Sequence, residues 1–185
     1  MSDSDVFIIS AIRAAEPVEA IRQAVKSAGV NPSRVQDVVF GLDGSLVNPN
    51  AGEIVSKSGL ACPSVIVSSS LRAVFFAAQS ILSGDVELAV VIGMDGDSST
   101  AMLLASPDSV GRWNLVPRAR LAARSLTGVE SVLRAAELSS EDVSTFKDGK
   151  NGARLVMEAL EELEEKPARW GVVSMNSLVL LIERI

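Results

Sequence analysis

The sequence predicts an α/β protein made of two pseudo-symmetric mixed-sheet halves with helices on their faces. Three observations carry this. Short apolar, β-branched runs alternate with stretches of helical period along the chain, which is the grammar of sheets covered by helices. The order strand–helix–strand–helix–strand–strand occurs twice. The two occurrences also resemble each other in sequence, displaced by about 110 residues, a period too long for a solenoid. The length of 185 residues suits one compact body better than two.

Val6–Ser10 is a short β-branched run and reads as a buried strand. From Pro17 to Ala28, apolar Val18, Ile21, Ala24 and Val25 have helical spacing, with Pro17 in the first turn and Gly29 as a stop. Val35–Gly41 is the next strand. A Gly-, Asn- and Pro-rich loop, GLDGSLVNPN, leads to a helix near Gly52–Gly59. Val65–Val67 is a third strand. Leu71 to Leu82 is apolar nearly all round, so it predicts a buried helix. Leu88–Ile92 and Thr100–Ala105 are strands joined by the turn-rich GMDGDSS.

The second half repeats the pattern. Pro117–Leu126 reads as a strand, Val129–Ala136 and Gly152–Glu165 as helices, and Trp170–Met175 with Leu178–Glu183 as a closing strand pair. Pro167 ends the long helix. The segment from Val18 to Gly41 lines up with Val129 to Gly149, and the segment from Ser70 with that from Gly152. An extra strand and helix are better developed in the first half. The halves are set at 1–106 and, shortened, at 117–185, with a linker at 107–116.

Composition excludes several functions. At 48% hydrophobic the chain is no disordered segment. The net charge of -6 argues against nucleic-acid binding, which needs clustered Lys and Arg. No histidine is present, so imidazole acid–base chemistry and His ligation of metals are removed. One cysteine, Cys62, allows neither an internal disulfide nor a multi-cysteine metal site. The start, MSDSDVFIIS, lacks the features of a signal peptide. The apolar runs are shorter than the ~20 residues of a membrane span. No membrane association is expected, and a cytoplasmic location fits.

The ordered strings resemble the thiolase superfamily. VFIISAIR resembles its opening strand. LRAVFFAAQSILSGDVELAVVIGMD resembles its buried helix and following strand, with Ile92 to Asp95 (IGMD) where thiolases carry Gly-Gly-Met-Glu. GARLVMEALEELEEKPARWGVVSMNSLVLLIERI resembles the last helix and two strands. The resemblance covers most of the chain. It implies a layered α/β/α/β/α body from two such halves, the second reduced.

The departures bear on function. Thiolases place a long loop domain after the GGME-like turn, and that domain resembles the main coenzyme A binder. Here GMDGDSSTAMLLAS makes the join directly, which argues against coenzyme A binding. The family's nucleophilic cysteine sits in Cys-Ala-Ser-Gly before the buried helix; this chain has VIVSSSLRA, so that without a gap the cysteine falls on Val67 and with a short deletion the nucleophile loop is absent. The family's His-Pro-Leu-Gly is replaced by KDGKNGARL, and its Cys-x-Gly-Gly-Gly is cut to SMNSL. The resemblance therefore implies loss of all three catalytic positions and of the oxyanion-loop glycines.

Candidate residues remain. Cys62 reads as a small, partly buried apolar residue. Ser68, Ser69 and Ser70 precede a helix; one hydroxyl can cap its free N–H groups, or one can be a nucleophile facing the helix dipole. A nucleophilic serine needs a base, and no Lys or carboxylate lies close in sequence. Asp95 and Asp97 in GMDGDSS lack the further oxygen ligands of a calcium loop and read as a tight hairpin. Glu158, Glu161, Glu162, Glu164 and Glu165 read as a solvated helix face. Arg118, Arg120, Arg124 and Arg134 form a positive stretch, either surface or interface. No metal and no cofactor is expected.

In thiolases the third strand and buried helix lie at the two-fold dimer interface. The resemblance thus implies an interface built from Val65, Ile66, Val67, Ser68, Leu71, Phe75 and Phe76, the alternative being plain core packing. The expected function is a non-catalytic, thiolase-like subunit. It dimerises with itself or with a full-length catalytic thiolase homologue of acyl-CoA metabolism. The alternatives are an acyl-CoA acyltransferase or thioesterase using a serine, and a passive acyl-CoA or lipid-binding module.

Overall fold

The computed structural model describes residues 5–44, 49–167 and 169–185. Part of the expected Gly-, Asn- and Pro-rich loop (45–48) and the first four residues of the chain lie outside these. Strand β1 (Val6–Ala14) leads into helix α1 (Pro17–Ser27) and strand β2 (Asp37–Leu42). Then follow α2 (Ala51–Lys57), β3 (Ser64–Val67), α3 (Ser70–Leu82), β4 (Leu88–Asp95) and β5 (Ser98–Ala105). The segment expected as a linker contains a helix, α4 (Pro107–Trp113). Ser106 caps it through the Ser109 amide, and Val110 and Trp113 pack on the core beneath. Two turns are too short for a periodic signal, which is why the sequence pattern shows a connection only.

The second half holds β6 (Ala119–Ser125), α5 (Val129–Ala135), β7 (Val143–Asp148), α6 (Gly152–Glu165), β8 (Trp170–Met175) and β9 (Leu178–Arg184). Strand β7 lies where the internal repeat places it, opposite β2.

Among the described residues, nine strands join one sheet in the order β3-β2-β4-β5-β1-β6-β9-β8-β7. The run β2-β4-β5-β1 is mirrored by β7-β8-β9-β6. The first half adds α2 and β3. The mirror falls between β1 and β6, whose antiparallel register is only Val6↔Leu121, Phe7↔Arg120 and Ile8↔Ala119. Within each half the pairs β2–β4 and β7–β8 are parallel, and the hairpins β4–β5 and β8–β9 are antiparallel.

Three apolar clusters show how the sheet is covered. α1, α2 and α4 pack on the outer face of the first half. α5 packs on the outer face of the second. α3 and α6 share one central cluster with strands of both halves. The result is the α/β/α/β/α layering. Leu71, Val74 and Ile81 of α3 are buried there, each contributing about 1.5–3 kcal/mol by leaving water. α3 starts on Ser69, whose hydroxyl accepts the Arg72 amide at 3.3 Å, and stops at Gly84, which takes a φ of +80°.

Candidate functional site

The N-termini of α3 and α6 converge over the carboxyl ends of β2 and β4. Glycines make this possible. A Cβ on Gly41 would stand 2.2 Å from Ser70 Cα, and one on Gly93 would stand 2.4 Å from Ala153 Cβ. A Cβ on Gly152 would stand 2.5 Å from Leu71 Cβ. All three contacts are shorter than packing permits, so only glycine lets the two helices sit on the strand ends.

Asp43, one residue beyond β2, occupies this junction. Its main-chain N–H donates to the Met94 carbonyl at 3.1 Å, holding the turn against β4. Its carboxylate accepts the Ser70 backbone N–H at 2.8 Å. It also accepts the Ser70 hydroxyl. The same Ser70 oxygen accepts the Ala153 N–H at 2.7 Å. One carboxylate and one hydroxyl thus serve free amides at the starts of two helices, where the dipoles favour negative charge. Burial still pushes the Asp43 pKa above the ordinary carboxylate range; the Ser70 hydroxyl and amide pull it back, neighbouring Asp95 raises it, and the Gly152 amide lowers it.

The candidate serines separate in this frame. Ser70 is fully buried, with its hydroxyl engaged as donor and acceptor. Ser69 caps α3. Ser68 is exposed. Asp43 is the residue missed in the sequence pattern, because it lies 27 positions from Ser70. Its signal was its place just past a strand end, where open α/β sheets build their sites. Cys62 is elsewhere, packed against the outer cluster of the first half. Burial and Asp37 push its thiol up to about 11, so it is protonated at neutral pH. Asp95 and Asp97 flank Gly96 in the tight β4–β5 hairpin, which closes with Asp95 opposite Ser98.

The candidate interface residues also divide. β3 is an edge strand. Ile66 on it and Phe76 on α3 are exposed at 37% and 45%. Val65, Val67 and Phe75 are partly buried. Leu71 does not share this face: it points into the central core against Gly152, because an all-round apolar helix hides which of its sides meets the chain's own sheet. Beside the edge lies an open groove of about 650 Å³, walled by Val67, Phe75 and Phe76 on one side and Arg124 and Leu126 on the other.

Of the positive stretch, Arg118 pairs with Glu164 at 2.8 Å, and Arg120 bridges Asp5 and Glu183. Arg134 is exposed. On α6, Glu158 and Glu162 pair with Arg154, Lys147 and Lys166 along the helix surface. Among the described residues, no helix is long and apolar enough to cross a membrane.

No family model matches the chain. Acetyl-CoA acetyltransferase 2 of Arabidopsis thaliana is 34% identical to it over 105 residues, 51% of this chain. The chain spans about a quarter of that relative's length, 25%. The crystal structure of the Bacillus anthracis acetyl-CoA acetyltransferase superposes with a TM-score of 0.86 at 12% identity, covering 98% of this chain and 99% of that one. The fold is that of the thiolase superfamily. The partial sequence likeness is to an acetyl-CoA acetyltransferase.

Proposed function

We propose that the chain is a non-catalytic thiolase-like subunit of acyl-CoA metabolism, which dimerises through its β3–α3 face and supports the structure or active site of its partner. The observation that carries this reading is the state of Ser70. Its hydroxyl is buried and spent on Asp43 and Ala153, so the convergent helix ends are filled by the chain's own side chains. By the resemblance, the family's nucleophile position either falls on Val67 or is deleted with its loop, and in both cases no thiol stands there. Cys62 is remote and holds its proton. The bare β3 edge, with Ile66 and Phe76 exposed beside it, supports a covered interface, since an open strand edge invites pairing.

One observation favours the alternative, an acyltransferase or thioesterase using serine: Asp43 is positioned to take the Ser70 proton. Against it, Ser70 presents no surface to a substrate. Incubation with acetyl-CoA and acetoacetyl-CoA, read by intact mass and thiol release, separates the two. The non-catalytic reading expects no adduct and no turnover; an acyl adduct lost in Ser70→Ala overturns it. The native mass of the chain co-expressed with a full-length thiolase homologue from the same source tests the partner role.

A further inference from the structure

The groove beside β3 and α3 is unbalanced in charge. Arg112, Arg118, Arg120, Arg154 and Arg169 each pair with a carboxylate. Arg124 does not, among the described residues. It is half-buried at the end of β6, and its guanidinium reaches only the Phe75 carbonyl at 3.5 Å and Gln79 Oε1 at 3.4 Å. Both are long for a charged donor. Arg72, on the opposite wall, also has no ion pair among the described residues. Among the described residues no carboxylate lines the groove, whose remaining surface is largely Phe75, Phe76, Val67 and Leu126. Withdrawal from water already weakens the hold of Arg124 on its proton.

A second copy of this chain is a poor cover for such a surface. A two-fold contact presents the same patch to itself. From Ser58 to Gly84, the stretch that contains β3 and α3, Arg72 is the only charged residue. Self-pairing therefore adds arginine to arginine and brings no anion from either segment. Burying cations without a counter-charge is unfavourable, and like charges opposed across an interface reject that partner.

Resting on the reading that the β3–α3 face is an interface, we infer that its partner is a different protein, which seats a carboxylate side chain between Arg124 and Arg72 and an apolar side chain on Phe75 and Phe76. The carboxylate completes the guanidinium of Arg124; the apolar residue dries the pair, which strengthens it.

Sedimentation equilibrium tests this with a surrogate acidic partner, the same chain carrying Arg72→Glu and Arg124→Glu. Circular dichroism verifies that each variant folds. The wild type alone is expected to be monomeric at micromolar concentration. An equimolar mixture of wild type and the double variant should associate roughly ten-fold more tightly than either alone. The gain should vanish in about 1 M NaCl and with Phe76→Asp. A wild-type dimer that Phe76→Asp dissociates overturns the inference and leaves the interface reading standing. A mixture no tighter than its components overturns the inference as well. A wild-type dimer indifferent to Phe76→Asp removes the interface reading itself, and the inference with it.

Discussion

Asp43 and Ser70 meet where two helices begin, and the carboxylate of one is held by both the amide and the hydroxyl of the other. Ser70 in turn takes the Ala153 amide. Ser70→Ala leaves that amide without a partner and takes the hydroxyl donor from the Asp43 carboxylate. We expect a loss of about 2–3 kcal/mol, the cost of stranding buried polar groups, measured by urea denaturation. A loss below about 0.5 kcal/mol would show that the junction contributes nothing beyond shape.

The raised pKa of Asp43 gives a pH dependence of known sign. The folded state holds this proton more tightly than the unfolded state. The stability so gained is complete below the unfolded carboxylate's range and is lost as pH rises through the folded value. Asp43→Asn has no such proton. Between about pH 3 and pH 7 the stability difference should therefore move in favour of the variant. Urea titrations of both proteins at each pH read it; movement the other way would mean that the hydrogen bonds outweigh burial.

Gly41 and Gly111 make a matched pair. A Cβ on Gly41 collides with the Ser70 backbone, whereas nothing lies within 4 Å of one on Gly111. Gly41→Ala should cost about 3 kcal/mol or more, since backbone must move. Gly111→Ala lies in α4 and should be neutral or stabilising by up to about 1 kcal/mol. Thermal melts of the two variants give the comparison.

Cys62 should be slow to alkylate. With its thiol pushed up to about 11, about a thousandth is ionised at pH 8. Iodoacetamide should react about a hundred-fold more slowly than with a free cysteine, and faster as pH approaches that value. A rate like that of free cysteine at pH 8 refutes the burial argument.

Glu183 is buried on β9 between Arg120 and Arg169, and Arg120 also holds Asp5 at 2.9 Å. Glu183→Ala should cost about 2 kcal/mol. That is less than for a fully buried pair, because Arg169 remains largely in water. Glu183→Gln should recover part of the loss, with chemical denaturation as the measure.

Local pattern was legible and long-range polar contact was not. The helix from Gly152 to Glu165 begins and ends as its periodicity and Pro167 require. Strand β7 is weak in itself, with Val143 and Phe146 its hydrophobic side chains and their signal diluted by Lys147 and Asp148, and is reached through the repeat. Asp43 left no periodic trace, because a single polar residue in a glycine loop makes its contacts across the fold. The joining of both halves into one sheet was equally hidden: three residue pairs between β1 and β6 decide it. Leu71 shows a third limit. A helix apolar on every side announces burial but not whether its own sheet or a partner does the burying.

The layer formed by α3 and α6 has one further consequence. It belongs to both halves, so neither half owns a complete interior. Separated lobes would each expose one wall of that layer, and the narrow β1–β6 seam could not hold them in its absence. Unfolding should accordingly occur as one cooperative transition, with amides at the middle of both helices exchanging only when the whole molecule opens.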